Sequence, residues 1–104
     1  MAKQVRESVV ERYFRDRVSD LGGITRKASW IDRRGCPDQF FALPWGFHGF
    51  AEIKAEGGRV APHQDREIDR LREAGVFAFL IFGKAGVDAF IDYVSTEAGV
   101  DGNC

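Results

Sequence analysis

The chain has 104 residues, 44% of them hydrophobic and nine of them phenylalanine, which bounds it to one domain with a real core. Its formal net charge is -1, so no global charge recruits nucleic acid or a membrane surface, and such a contact has to come from a local patch. Two widely separated cysteines, Cys36 and Cys104, fit no metal-ligand spacing and point to a thiol-reduced, cytoplasmic setting. No stretch approaches the roughly 18 apolar residues of a membrane span, and no signal-peptide pattern opens the chain.

In chain order, Val10, Phe14, Val18 and Leu21 recur at helical spacing and predict a first helix from about Gln4 to Leu21. Gly22-Gly23 ends it as a left-handed cap would. Ile24 to Trp30 alternates enough for a strand, and "IDRRGCP" reads as a loop. Asp38 to Leu43 and Phe47 to Lys54 predict two further strands around the turn Pro44-Trp45-Gly46. After the Gly-containing loop "AEGGRVA", Pro62 opens a second helix that Gly75 stops after Ala74. The apolar run Val76 to Phe82 predicts a central strand covered on both faces. A last helix carries Val87, Phe90, Ile91 and Val94, and the small, polar residues 96–104 are expected to fray. The α-β-β-β-α-β-α order argues for an α/β fold, a mixed central sheet flanked by helices.

Several ionisable groups sit where apolar ones are expected. If Pro44-Trp45-Gly46 is a three-residue loop, residue 43 pairs with 47 and Asp38 falls opposite Glu52. Two carboxylates so close need a proton or a cation between them. Glu52 and Lys54 share one face of their strand, while Ala51 and Ile53 point into the core. On the first helix, Glu7 projects near the middle of the apolar stripe and Glu11 toward its edge; an inward carboxylate is costly without a partner. Gln64 likewise points inward, one turn before Ile68 and on the face of Leu71. Carboxylates converging without a His or Cys set make a hard oxygen site suited to Mg²⁺ or Mn²⁺ rather than Zn²⁺. With a lysine beside it, such a site has what phosphodiester hydrolysis needs.

"CPD" at Cys36 to Asp38 followed by "EIK" at Glu52 to Lys54 resembles the PD-(D/E)XK nuclease signature. More narrowly, the chain resembles a VRR-NUC domain (virus-type replication-repair nuclease). It shows a helical Glu, a Gly35-Cys36-Pro37-Asp38 turn, Glu52-Ile53-Lys54, a Gly-containing loop at Glu56 to Arg59, and Gln64 opening a helix. The resemblance covers almost the whole chain, Gln4 to Val94. It implies a metal-dependent DNA nuclease with the restriction-endonuclease-like fold, with Glu7, Asp38, Glu52 and the main-chain carbonyl of Ile53 as metal ligands. Lys54 would be the catalytic lysine and Gln64 a supporting residue. Glu7 is preferred as the helical ligand, although related junction resolvases place the acid nearer the Gly-Gly, where Glu11 stands. Stand-alone relatives of this size resemble phage and bacterial proteins that cut branched DNA, such as Holliday junctions, as homodimers.

Arg33 and Arg34 precede the active-site turn and are expected to contact phosphate, with Arg26, Lys27 and Arg59 extending the patch. Trp30, Trp45 and Phe47 suit a core, a hairpin or a binding surface equally. Cys36 fills a motif position where a small or apolar residue suffices. The rival readings are a DNA-structure-binding module with little catalysis and a metal-dependent phosphatase.

Overall fold

A computed structural model describes residues 5–98. The expected helix start at Gln4, Cys104 and the tail beyond Ala98 lie outside the described residues. The elements follow the predicted order: α1 (Glu7–Asp20), β1 (Ile24–Lys27), β2 (Gln39–Ala42), β3 (His48–Lys54), α2 (Pro62–Glu73), β4 (Ala78–Phe82) and α3 (Gly83–Tyr93). A π-helical turn at Val94–Ala98 continues the last helix, so residues 96–98 are helical rather than part of a frayed tail. There the Thr96 hydroxyl donates to the carbonyl of Asp92 at 2.7 Å, one turn back.

The four strands form one sheet in the order β1-β2-β3-β4. The first three pair antiparallel, and β4 joins β3 in parallel through α2, which makes the sheet mixed. β4 is therefore an edge strand, not the central one expected from its apolar run. An unbroken apolar run records burial by neighbours of any kind, not position in a sheet. Here α3 covers part of it, while Phe77 and Phe82 stay 48% and 38% exposed.

The core lies between one sheet face and helices α1 and α3. Val10, Phe14 and Val18 of the predicted stripe are fully buried, and Leu21 packs at its margin. They meet Phe41, Ala51 and Ile53 from the sheet and Val87, Phe90, Ile91 and Val94 from α3 and the turn after it. Phe41 is its centre, with the rings of Phe14, Phe47, Phe79 and Phe90 at centroid distances of 6.4, 5.8, 6.0 and 5.0 Å. Phe47 thus belongs to the core, and Trp45 packs against it.

Two stops matter for the site. At the end of α1, Gly22 takes φ 84°, and the amides of Gly22 and Gly23 return to the carbonyls of Ser19 and Val18. This left-handed cap turns the chain into β1 as expected. β1 ends at Lys27 rather than Trp30, so Ser29 and Trp30 belong to the long loop before β2. Trp30 leaves the sheet because its indole N–H has a partner elsewhere, on α2.

Candidate active site

The β2–β3 hairpin carries the acidic groups. Its register pairs Gln39 with Ala51, Phe40 with Phe50, Phe41 with Gly49 and Ala42 with His48. The Leu43 amide donates to the Phe47 carbonyl at 2.8 Å, which leaves Pro44-Trp45-Gly46 as the loop. One step further along this register, Asp38 falls opposite Glu52. Asp38 stands just before the strand and is fixed at both ends. Its Oδ2 accepts the Ile53 N–H at 3.2 Å, and its carbonyl accepts the Ala28 N–H at 2.9 Å.

Glu52 is the most constrained acid of the site. Its side chain is 1% exposed, yet it carries a carboxylate. Oε2 receives Lys54 Nζ at 3.1 Å and Gln64 Nε2 at 3.1 Å. Oε1 is buried and has no hydrogen-bond partner. Burial, and then the negative charge of Asp38, push the Glu52 carboxyl up to about 7, while Lys54 pulls it down. A buried carboxylate oxygen without a donor is costly unless a proton, a water or a cation satisfies it.

Gln64 is in place because of how α2 begins. Pro62 opens the helix, and Gln64 Oε1 accepts the Ala61 N–H at 3.0 Å, half of a capping box. With its carbonyl oxygen held there, its amide nitrogen is turned to Glu52. The expectation that Gln64 points inward is met, and both ends of its amide are used.

Helix α1 brings two carboxylates rather than one. Glu7, Glu11 and Asp38 each place an oxygen within 4.8 Å of the others. Glu7 opens the helix, and Glu11 follows one turn later. Burial raises the Glu11 carboxyl, and the charges of Asp38 and Glu7 add to it, against Lys27 and Arg15. Glu7 and Glu11 thus both reach Asp38, where the helical projection favoured Glu7. The main chain at Ile53, the other expected ligand, lies in the same region, since its amide holds Asp38.

The basic residues gather only in part. Arg26 and Lys27 are exposed on β1, and Lys27 is close enough to Glu11 to lower its carboxyl. Arg33 and Arg34 are exposed in the loop that runs into Asp38. Arg59 is exposed on a different loop, between β3 and α2. Cys36 makes a poor nucleophile, as expected from its motif position. Burial, with Glu67, Asp38 and Glu52 near it, pushes its thiol up to about 11, so it stays protonated at neutral pH.

Glu67 had no place among the candidates. It is 6% exposed on α2 and binds three partners: Trp30 Nε1 at 2.7 Å, Arg33 at 3.3 Å and Arg70 at 3.2 Å. The signal for it was present. Glu67 stands three residues after Gln64 and one before Ile68, on the same inward stripe, an inward carboxylate as Glu7 is on α1.

A mixed sheet under two helices, with Asp38 at the entry to β2, Glu52-Ile53-Lys54 on the paired strand β3 and acids from α1 beside them, defines an α/β nuclease-like domain. The chain is 41% identical over 71 residues to "Putative nuclease p44" of Acyrthosiphon pisum secondary endosymbiont phage 1, covering 68% of this chain and 76% of the relative. A solved VRR_NUC domain superposes with a TM-score of 0.76 at 34% identity, over 84% of this chain and 95% of that one. A second solved VRR_NUC domain protein superposes with a TM-score of 0.70 over 89% and 91% of the two chains, at 19% identity, a likeness of fold alone. No family-wide sequence profile matches. The chain belongs to the VRR-NUC family.

Proposed function

We propose that this protein is a DNA nuclease that hydrolyses phosphodiester bonds with Mg²⁺ or Mn²⁺, acts on branched DNA, and works as a homodimer inside a bacterial or phage-infected cell. The observation that carries this reading is Glu52: one oxygen is held by Lys54 and Gln64, the other is buried without a partner, and Asp38 lies beside it. The donor set is all oxygen, which fits a hard divalent cation. Asp38, Glu52, the Ile53 carbonyl and an acid of α1, Glu7 or Glu11, would hold it. When bound, such a cation polarises the phosphate and acidifies a water.

The chain's own groups do the rest. Lys54 Nζ donates to the attacking water or to a phosphate oxygen, where negative charge builds in the transition state. Gln64 keeps Glu52 in one orientation. The Ile53 amide does the same for Asp38. Arg33, Arg34, Arg26, Lys27 and Arg59 supply phosphate contacts that set position rather than sequence. The products expected are a 5′-phosphate and a 3′-hydroxyl. A four-way junction offers two symmetric cuts, which is why a two-fold dimer suits this substrate. No helix among the described residues is long and apolar enough to cross a membrane.

The test is cleavage of an end-labelled four-way junction, a flap and a linear duplex with Mg²⁺ or Mn²⁺, with EDTA as control and sedimentation run in parallel. Wild type should cut the junction fastest, as a dimer, and lose all cleavage in EDTA. Glu11→Gln should slow it at least as much as Glu7→Gln, by about tenfold or more if the acid is a ligand. Tight binding with no cleavage under any metal would instead make the protein a DNA-structure-binding module. Equal cutting of all three substrates would remove the preference for branched DNA.

A further inference from the structure

We infer that the loop between β1 and β2 is a wedge for branched DNA, with Ile31 as the inserted side chain and Arg33 and Arg34 as flanking phosphate contacts. The inference rests on the nuclease reading above and names the feature that would select the substrate.

Ile31 is fully exposed, at 102% of its reference area. The next most exposed large apolar residue among those described, Ile24, is at 49%. A single exposed apolar side chain is ordinary on a surface, but this one crowns a loop that is tied down beneath it. The Trp30 indole donates to the buried Glu67 carboxylate at 2.7 Å and packs edge-on to Phe50 with centroids 5.7 Å apart. Arg33 binds the same carboxylate at 3.3 Å from the other side of the tip. Behind it, Gly35 takes φ 97° and lies so close to α2 that a Cβ would meet the His63 carbonyl oxygen at 2.7 Å. Trp30 and Arg33, which bracket the Ile31-Asp32 tip, are thus anchored to one buried group on α2, while Ile31 is exposed to water.

The charges around the tip say what it meets. From Arg26 to Arg34 there are four basic residues, Arg26, Lys27, Arg33 and Arg34, against one acid, Asp32. An apolar tip between cations matches the way proteins pry base steps apart, with an Ile, Leu or Phe between bases and basic groups on the phosphates. The base of the loop borders the proposed cutting centre: Glu67, which holds Trp30, acts on the Cys36 thiol together with Asp38 and Glu52. Unstacking costs least where stacking is already broken, as at a branch point. A wedge therefore favours branched over continuous duplex without reading sequence.

The experiment uses the intact protein and a four-way junction carrying 2-aminopurine at the branch point, with Ca²⁺ in place of Mg²⁺ so that binding is read without cleavage. Wild type should raise the 2-aminopurine emission. Ile31→Ser should abolish the rise and weaken junction binding by roughly tenfold, while linear-duplex affinity changes by less than about twofold. Because Ile31 touches solvent alone, thermal melts of the two proteins should superimpose. An unchanged emission rise and an unchanged junction-to-duplex ratio in Ile31→Ser would overturn the wedge and leave the nuclease reading standing. Conversion of a dimer to a monomer by Ile31→Ser would also overturn it, by assigning the tip to a protein interface. Failure of wild type to bind any DNA would sink the nuclease reading itself.

Discussion

Lys54→Ala is expected to slow DNA cleavage by roughly 10²–10³-fold, the usual effect of removing one donor aimed at developing negative charge. Lys54 is 13% exposed in its side chain and 3.1 Å from Glu52, so its ammonium is held at one point beside the acids. A donor held in place needs no reorganisation when charge develops, which is why its loss falls on the chemical step. Junction affinity should stay within about threefold, because the proposed phosphate contacts, Arg33, Arg34, Arg26 and Lys27, are left intact. Losing Lys54 also removes the cation that pulls the Glu52 carboxyl down, so that carboxyl moves further up. Lys54→Arg should not restore the rate, since a planar guanidinium does not replace a point charge. Single-turnover cleavage at saturating protein separates rate from binding. A loss of less than tenfold would mean that Lys54 only balances the charge of Glu52.

Phe41→Ala is expected to destabilise the fold by about 3–5 kcal/mol, as for other large core aromatics cut to Ala. Phe41 is fully buried and touches four other rings. Those rings come from α1, the hairpin, β4 and α3, so collapse around the gap would have to move every layer at once. In a domain of this size the loss is a large share of the usual total and lowers Tm on the order of 20 °C. Phe40→Ala is the control: Phe40 is half-buried on the opposite sheet face, against Phe50 and His48, and should cost clearly less. Thermal unfolding followed by circular dichroism reads both. Equal losses for the two variants would contradict a core confined to the α1–α3 side of the sheet.

The same two faces explain what was legible beforehand. The hairpin was readable because its loop is marked by Pro44 and Gly46, and a loop of known length fixes which residues oppose. Asp38 and Glu52 followed from that. Gln64 was readable because a polar residue on an inward stripe needs a partner, and the partner is Glu52. Glu67 carries the same signal on the same helix but was not legible as a site residue, because its partners Trp30 and Arg33 come from a loop without periodicity. The edge position of β4 was not legible. An apolar run records burial, and here the burial comes from helices α2 and α3 rather than from a fifth strand. Glu7 against Glu11 turned on a few tens of degrees of helix rotation. The stripe alone does not set that angle, and the packing of α1 on α3 and the sheet brings both acids to Asp38.

If the proposed function holds, Asp38 and its neighbours bind a divalent cation. The measurement that tests it most directly is Mn²⁺ binding followed by electron paramagnetic resonance, with duplex DNA present, for wild type and Asp38→Asn. Wild type should bind at least one Mn²⁺ per chain, and Asp38→Asn should bind it with affinity lower by about tenfold or more, with the fold intact. No bound Mn²⁺ in wild type, or the same affinity in Asp38→Asn, would contradict it.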